Sequence, residues 1–369
     1  MASRRTFLIG ALGAVTGARC FSACTDSESA TAPSTTTTAP STTTTTQPTT
    51  TLPSSSPPST VATVESTTSI AADPPAWAGA DFASLDSFVE RTAGEAFAIW
   101  EDGAMVHEWY RTDASYTRDI ASAQKSILSL LVGRAIGDGL VQLDTSIDDV
   151  LGQQWTPHGQ SAGITVEHLL SMTSGLDDAL DVIAAPGERW SYSGAFAILF
   201  DVVTAVTGRE MNDVAQEWLF EPAGTANSVF YERPAGIAAP VGLRSTVPDL
   251  MALGRVVLDG MAPGLADGWL DRSFAPSQAF NRSYGLLWWL NDQESFMLPG
   301  RNAQFPGPLV PTAPSSMVAA LGKDDQKLYI VPEHRLVVVR LGGRAVPESQ
   351  AARSTLDVDL WERLTALRG

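Results

Sequence analysis

The sequence predicts an α+β domain behind a long arm of low complexity. In the domain, an antiparallel sheet made from strands at both ends of the chain is flanked by helices, and an all-helical piece is inserted between its halves. Three observations lead there. Two hairpin signatures stand far apart, near residues 96–110 and 327–340. The stretch between them, about 140–265, spaces its apolar residues like helices and offers no convincing strand. The first 75 residues follow neither pattern.

Residues 1–24 read as an export signal. Ser3-Arg-Arg-Thr-Phe-Leu8 is a twin-arginine pattern, and the apolar stretch Phe7 to Val15 is shorter than the roughly 20 residues of a spanning helix. The other reading of the arginine pair is the basic start of an ordinary secretory signal. Both cysteines, Cys20 and Cys24, end this segment, so the folded part has none for a disulfide. Phe21-Ser-Ala-Cys24 resembles a bacterial lipobox with Phe where Leu is usual, which makes Cys24 the expected lipidation site; a plain cleavable signal or an uncleaved anchor is the alternative. Lipidation would anchor an exported domain to the outer side of the membrane.

Residues 25–75 form the expected disordered linker. Thr, Ser and Pro dominate it and leave almost nothing to join a core. Extended at ~3.1 Å per residue, about 45 such residues reach roughly 140 Å. The formal net charge of −17 opposes contact with nucleic acid and with anionic lipid, so any membrane contact is expected through the N-terminal anchor alone.

The domain, residues 76–369, opens with a helix over Asp81 to Thr92, where Phe82, Leu85 and Phe88/Val89 recur at helical intervals. The runs Ala96–Trp100 and Ala104–Tyr110 meet at Asp102-Gly103, a hairpin turn. A buried helix then starts at Ser122 and ends near Gly137 or Gly139. Helical patterning continues in Val166–Met172, Ala195–Val206, Met211–Phe220 and Pro248–Leu258. Strands return at Tyr284–Leu290 and in the pair Lys327–Val331 and Leu336–Arg340. Pro299–Pro314 is a candidate rim, and Leu356–Leu367 a closing amphipathic helix.

The chemistry is expected in Ser122-Ala-Gln-Lys-Ser126. On a helix, residues three apart lie side by side, Cβ atoms ~5–6 Å apart, so hydroxyl and amine can share a proton. The helix start adds unpaired N–H groups that favour an oxyanion and a neutral lysine. A lysine free in water is protonated at neutral pH; working as a base requires lowering its pKa by ~3 units, about 4 kcal/mol, which burial can supply. A serine-rich chain can show this spacing by chance on a solvated face. Here, however, the only lysines are Lys125, Lys323 and Lys327, and the first sits in a mostly apolar helix. His107, His158, His168 and His334 are scattered without ligand spacing, so no metal is expected. Trp288 and Trp289 read as core and cleft wall, and no glycine-rich phosphate loop follows a strand, so no cofactor is expected either.

Several stretches, in order, carry a resemblance. They are Ser122-Ala-Gln-Lys-Ser-Ile with Ala135–Asp144, Ile164-Thr-Val-Glu-His-Leu-Leu-Ser-Met-Thr-Ser-Gly-Leu176, and Pro186-Gly-Glu-Arg-Trp-Ser-Tyr-Ser-Gly194. From about Ala76 to Gly369 the chain resembles the serine β-lactamase and penicillin-binding-protein superfamily, with its β-lactamase/transpeptidase-like fold. The nearest branch holds class C β-lactamases, β-lactamase-like carboxylesterases, D-aminopeptidases and 6-aminohexanoate-dimer hydrolases.

The resemblance implies Ser122 as nucleophile, Lys125 as base and Tyr192 as second base or proton shuttle. It implies an oxyanion hole from the N–H groups of Ser122 and Lys323, with Gly322 letting backbone approach closely. Two positions depart from the pattern: Gly194 stands where class C enzymes have asparagine, and Ala320-Leu-Gly322 lacks the lysine of the third motif. Ser191 or Ser193 is a partial stand-in for the asparagine. Asp325 occupies a position where glycine is common. Lys323 and Lys327 are either solvated strand flanks or contacts for an acidic substrate group. The expected substrates are small esters, amides or peptide-like molecules, neutral ones ahead of penicillins, while a β-lactamase or D-amino-acid peptidase stays open. A catalytically silent domain that binds wall fragments or a protein partner is the alternative.

Overall fold

The computed structural model describes residues 76–153, 155–156, 163–234, 239–346 and 353–369. The expected signal, Cys24, the linker and His158 lie outside the described residues.

The α+β expectation holds. Helix α1 (Phe82–Arg91), capped by the Asp81 side chain on the Ser84 N–H, buries Leu85, Phe88 and Val89. Strands β1 (Gly94–Glu101) and β2 (Ala104–Tyr110) form the first hairpin. A two-residue strand, β3 (Arg118–Asp119), leads through a 3-10 turn at Ala121–Ala123 into α2 (Gln124–Gly137). Ser122 therefore sits on this single turn, just before the helix proper.

The middle of the chain supplies α3 (Ile147–Leu151), α4 (Val166–Leu170), α5 (Ile198–Thr207), α6 (Met211–Ala215) and α7 (Glu221–Ala223), with a π turn at Gln216–Phe220. His168 lies on α4 as expected and closes its own capping box with Thr165. Next come β4 (Val229–Glu232), β5 (Val241–Ser245), α8 (Val247–Leu258) and α9 (Trp269–Ser273). The last part holds β6 (Trp289–Leu290), β7 (Ser295–Met297), β8 (Gln304–Pro306), β9 (Val318–Gly322), β10 (Gln326–Val331), β11 (Leu336–Gly342) and α10 (Thr355–Arg368).

Among the described residues the main sheet runs β2-β1-β11-β10-β9-β6, its neighbours antiparallel. Early and late strands meet at its centre, where Phe97 faces Arg340 and Ile99 faces Val338. Both faces are covered. On one, α8 presses so closely that a Cβ on Gly254 would meet the Val337 and Leu328 side chains. On the other, α10 brings Trp361 against Tyr329 and Asp357 to Lys327. Coverage on both sides explains why β1, β10 and β11 read as continuous apolar runs.

Two expectations need correction. The inserted piece is not all helical: it contains β4 and β5, which join β3 from the chain before it in a small antiparallel sheet. Its strands are short and carry Arg118, Asp119, Arg244 and Glu232, so an apolar pattern does not betray them. The run Tyr284–Leu290 is strand only at Trp289–Leu290; the rest is buried irregular chain, including Leu287 at φ +63°, and buried loop and buried strand look alike in hydrophobicity.

Candidate active site

Ser122 owes its position to a strained connection. The preceding Ala121 has φ +52°, unusual for a residue with a side chain and worth roughly 1–3 kcal/mol. Its neighbours hold it there. Asp119 accepts the Ala121 N–H at 2.8 Å, and the Ile120 N–H donates to the Leu243 carbonyl at 3.0 Å. From the main sheet, Gly322 packs against Ile120 so tightly that a Cβ would lie 2.2 Å from the Ile120 carbonyl oxygen. Gly322 does allow a close backbone approach, but the partner is the chain leading into Ser122. Its own φ of −115° is ordinary, so the glycine answers to space and not to torsion.

Lys125 lies on the first turn of α2 with Nζ 3.1 Å from the Ser122 Oγ. Its side chain is buried between aromatic rings, with Nζ 3.9 Å from the Phe196 ring centre and 4.5 Å from that of Tyr192. Burial, reinforced by the positive charge of Arg233 and opposed by Asp178, brings its pKa down from 10.5 to about 7. The amine is thus available as a base at neutral pH.

Tyr192 is wedged among Trp190, Tyr284 and Trp289. Burial pushes its phenol well above the ordinary value, and hydrogen bonding with Ser122 and Trp289 offsets this only in part. Loss of water, the largest influence on it, keeps the phenol protonated at neutral pH. A neutral phenol at this place has a proton to donate. Ser193 is buried, and its hydroxyl accepts from the Ala195 N–H, capping the turn that leads into α5. The Gly194 N–H donates to the Asp178 Oδ1 at 2.6 Å, which sets a carboxylate beside the position that lacks a side chain.

An open cleft of about 1000 Å³ is lined by Ser122, Lys125, Tyr192, Ser193, Gly194 and Lys323, with Pro299 and Gly300 from the expected rim. The structure brings these predicted residues together. It excludes Lys327, whose ammonium is buried in the sheet 3.0 Å from Asp357 and 3.4 Å from Asp325. Asp324 and Asp325 turn the chain between β9 and β10 with φ of +58° and +62°, which accounts for the glycine preference at that point.

Sequence reasoning missed Asp178 and the group around Asp119. Arg233 grips Asp119 with both ends of its fork at 2.7 Å, and Tyr231 donates to the same carboxylate at 2.6 Å. Burial would raise the Asp119 pKa; the hydrogen bonds from Arg233 and Tyr231 outweigh it and lower the value. More than a hundred residues separate these partners, so no local pattern announces them. No group of His, Cys, Asp and Glu among the described residues is arranged to hold a metal ion, and no described helix is long and apolar enough to cross a membrane.

Comparison with known proteins adds the family. A family model described as Beta-lactamase matches residues 83–360. No curated protein matches the chain in sequence. Among solved structures it is similar to a β-lactamase from Mycobacterium bovis, at 21% identity and TM-score 0.54 over 74% of this chain and 93% of the other. It is also similar to a Bacillus anthracis protein assigned as a 6-aminohexanoate-dimer hydrolase, at 17% identity and TM-score 0.56 over 76% and 80%. A third similar structure is that of EstCE1, a hydrolase with promiscuous acyltransferase activity, at 15% identity and TM-score 0.56 over 78% and 100%.

Proposed function

Because the chain belongs to the beta-lactamase family, we propose that it is a serine hydrolase that forms an acyl-enzyme at Ser122 from small esters or amides. The observation that carries this reading is the near-neutral Lys125 amine 3.1 Å from the Ser122 hydroxyl. As the Ser122 Oγ attacks the substrate carbonyl, its proton passes to Lys125 Nζ. The resulting oxyanion is held by the N–H groups of Ser122 and Lys323. The proton then reaches the leaving alcohol or amine through the Tyr192 hydroxyl, and the C–O or C–N bond breaks. Water attacks the acyl-enzyme with the same groups in reverse, freeing the acid and restoring Ser122. The similarity to EstCE1 and to the 6-aminohexanoate-dimer hydrolase supports ester and amide substrates.

A fluorophosphonate probe followed by mass spectrometry tests this. The adduct is expected on Ser122, with labelling suppressed in Lys125→Ala and Tyr192→Phe. No adduct, under conditions that label a control hydrolase, would favour the silent binding domain, for which Gly194 and Ala320 speak.

Residues 1–24 are proposed to direct export by the twin-arginine route, with Cys24 lipidated and residues 25–75 as the spacer to the hydrolase domain. Replacing Arg4 and Arg5 by lysine should block export, and Cys24→Ala should release the protein from the membrane. Unchanged export would mean the general secretory route, and unchanged retention would remove the lipid anchor.

A further inference from the structure

The cleft around Ser122 has a charge opposite to that of the chain. The chain carries 41 acidic and 24 basic side chains, yet Arg118, Arg233, Arg244 and Lys323 all line the cleft with Lys125, against Asp119, Asp178 and Asp324. Asp119 is taken by Arg233, and Asp324 pairs with Arg344 outside the lining at 2.9 Å. Asp178 is held by the Gly194 N–H. Arg118, Arg244 and Lys323 are left without a carboxylate partner among the described residues, three cations against one acid.

Arg244 is the best placed of the three. On β5 it stands opposite Asp119 of β3 and Val229 of β4, while Gly242 stands opposite Tyr231. Opposed residues share a face, so Asp119, Tyr231 and Arg244 lie on one side of the small sheet, and all three line the cleft. The other side carries Phe230 and Leu243 into the core. The Arg244 guanidinium lies 4.1 Å from the centre of the Tyr231 ring, whose hydroxyl is fixed by Asp119. This cation–π contact holds an exposed fork whose N–H groups have no protein acceptor among the described residues. A planar two-oxygen anion is the natural complement of such a fork.

We propose that this cleft takes esters or amides bearing a carboxylate, with Arg244 as the contact for it and Arg118 and Lys323 adding to the attracting potential. This rests on the hydrolase reading and sharpens its substrate class. The lysine missing at Ala320 is then a relocation of anion-binding charge, from the third-motif strand to the small sheet.

Two ester pairs test it. Mono-p-nitrophenyl adipate and p-nitrophenyl hexanoate differ by a carboxylate for a methyl on the acyl part; 4-acetoxybenzoate and phenyl acetate differ by a carboxylate on the leaving group. At low ionic strength we expect kcat/KM to favour the anionic member of at least one pair by about tenfold or more, as a charge-assisted pair supplies. In Arg244→Gln that ratio should fall towards one, in Arg244→Lys it should be partly kept, and in Arg244→Glu it should invert. Equal rates within both pairs, or a ratio that survives Arg244→Gln, overturn the proposal. If no ester is turned over and Ser122 takes no fluorophosphonate, the hydrolase reading has failed separately. The subsite is then judged by calorimetric titration with adipate: binding lost in Arg244→Gln upholds it, and no binding by the unmutated protein sinks it.

Discussion

Lys125, 4% exposed at the cleft wall, and Lys327, 1% exposed inside the main sheet, are two lysines kept from water in contrasting surroundings. Around Lys327 the chain gathers Asp357 and Asp325; Tyr329 donates to Asp357 at 2.6 Å, and Ser354 to Asp325 at 2.7 Å. Around Lys125 it gathers the Phe196 and Tyr192 rings, a serine hydroxyl and the field of Arg233. The first arrangement compensates a charge, docking α10 on the sheet. The second leaves the ammonium without an ion-pair partner among the described residues and drives it towards the neutral amine. One residue type thus stays charged where counter-charge is supplied and, where it is withheld, becomes the amine that the proposed chemistry needs.

Replacing each lysine by methionine, similar in length and uncharged, is the strongest test of that contrast. Lys125→Met should lower ester hydrolysis by about 10²–10⁴-fold, the usual worth of a general base. It should also make the fold more stable at pH 7. Moving a pKa from 10.5 to about 7 costs on the order of 4 kcal/mol there, and we expect roughly 2–4 kcal/mol to return in a urea melt. Lys327→Met should do the reverse. It leaves the buried Asp357 and Asp325 facing an apolar side chain, which should cost roughly 3–5 kcal/mol, while the folded fraction keeps its turnover. Destabilisation by Lys125→Met, or none by Lys327→Met, would collapse the comparison.

The pH profile sharpens it. On the proposed mechanism Lys125 works as the neutral amine, so kcat/KM on a neutral ester should rise as pH passes about 7 and then level. Arg233→Gln removes a charge that holds the pKa down, so the limb should move to higher pH; Arg233→Lys keeps the charge and should leave it nearer 7. Stability has its own signature. Between about 7 and 10.5 the unfolded chain binds the Lys125 proton and the folded chain does not, so this residue's contribution to stability rises with pH across that window. Lys125→Met should lose that slope. An acid limb that ignores Arg233→Gln would remove the arginine from the account.

Which parts of this were readable beforehand follows from how far apart the interacting residues lie. The two hairpins, α8 and α10 were legible because turn chemistry and apolar spacing act within a few residues. Ser122 and Lys125 were legible for the same reason, being one helical turn apart. The partners that tune them were not: Arg233 meets Asp119 across 114 positions and Asp178 meets Gly194 across 16. Lys327 looked like a strand flank because its counter-charge, Asp357, comes from a helix 30 positions on. The small sheet escaped notice since β3 has two residues and both are charged.

The smallest expected effects come from the turn that presents Ser122. Position 121 has φ +52°, where glycine is at ease and alanine is not. Ala121→Gly should relieve that strain, offset partly by the freer unfolded chain, and change stability by about 1 kcal/mol or less. If the strain serves to aim Ser122, turnover should drop even though the fold is no weaker, because a relaxed turn no longer fixes Oγ against Lys125. Gly322→Ala attacks the same turn from the sheet. Its Cβ, 2.2 Å from the Ile120 carbonyl oxygen, meets backbone that cannot swing away, so β9 or the turn must shift. A cost of about 1–3 kcal/mol is expected from such overpacking, with a fall in kcat greater than any rise in KM, since the displaced groups are the proposed nucleophile and the proposed N–H donors. Unchanged kcat in both variants would mean that the serine is held by α2 alone, and that the packing of β9 on this turn belongs to stability and not to catalysis.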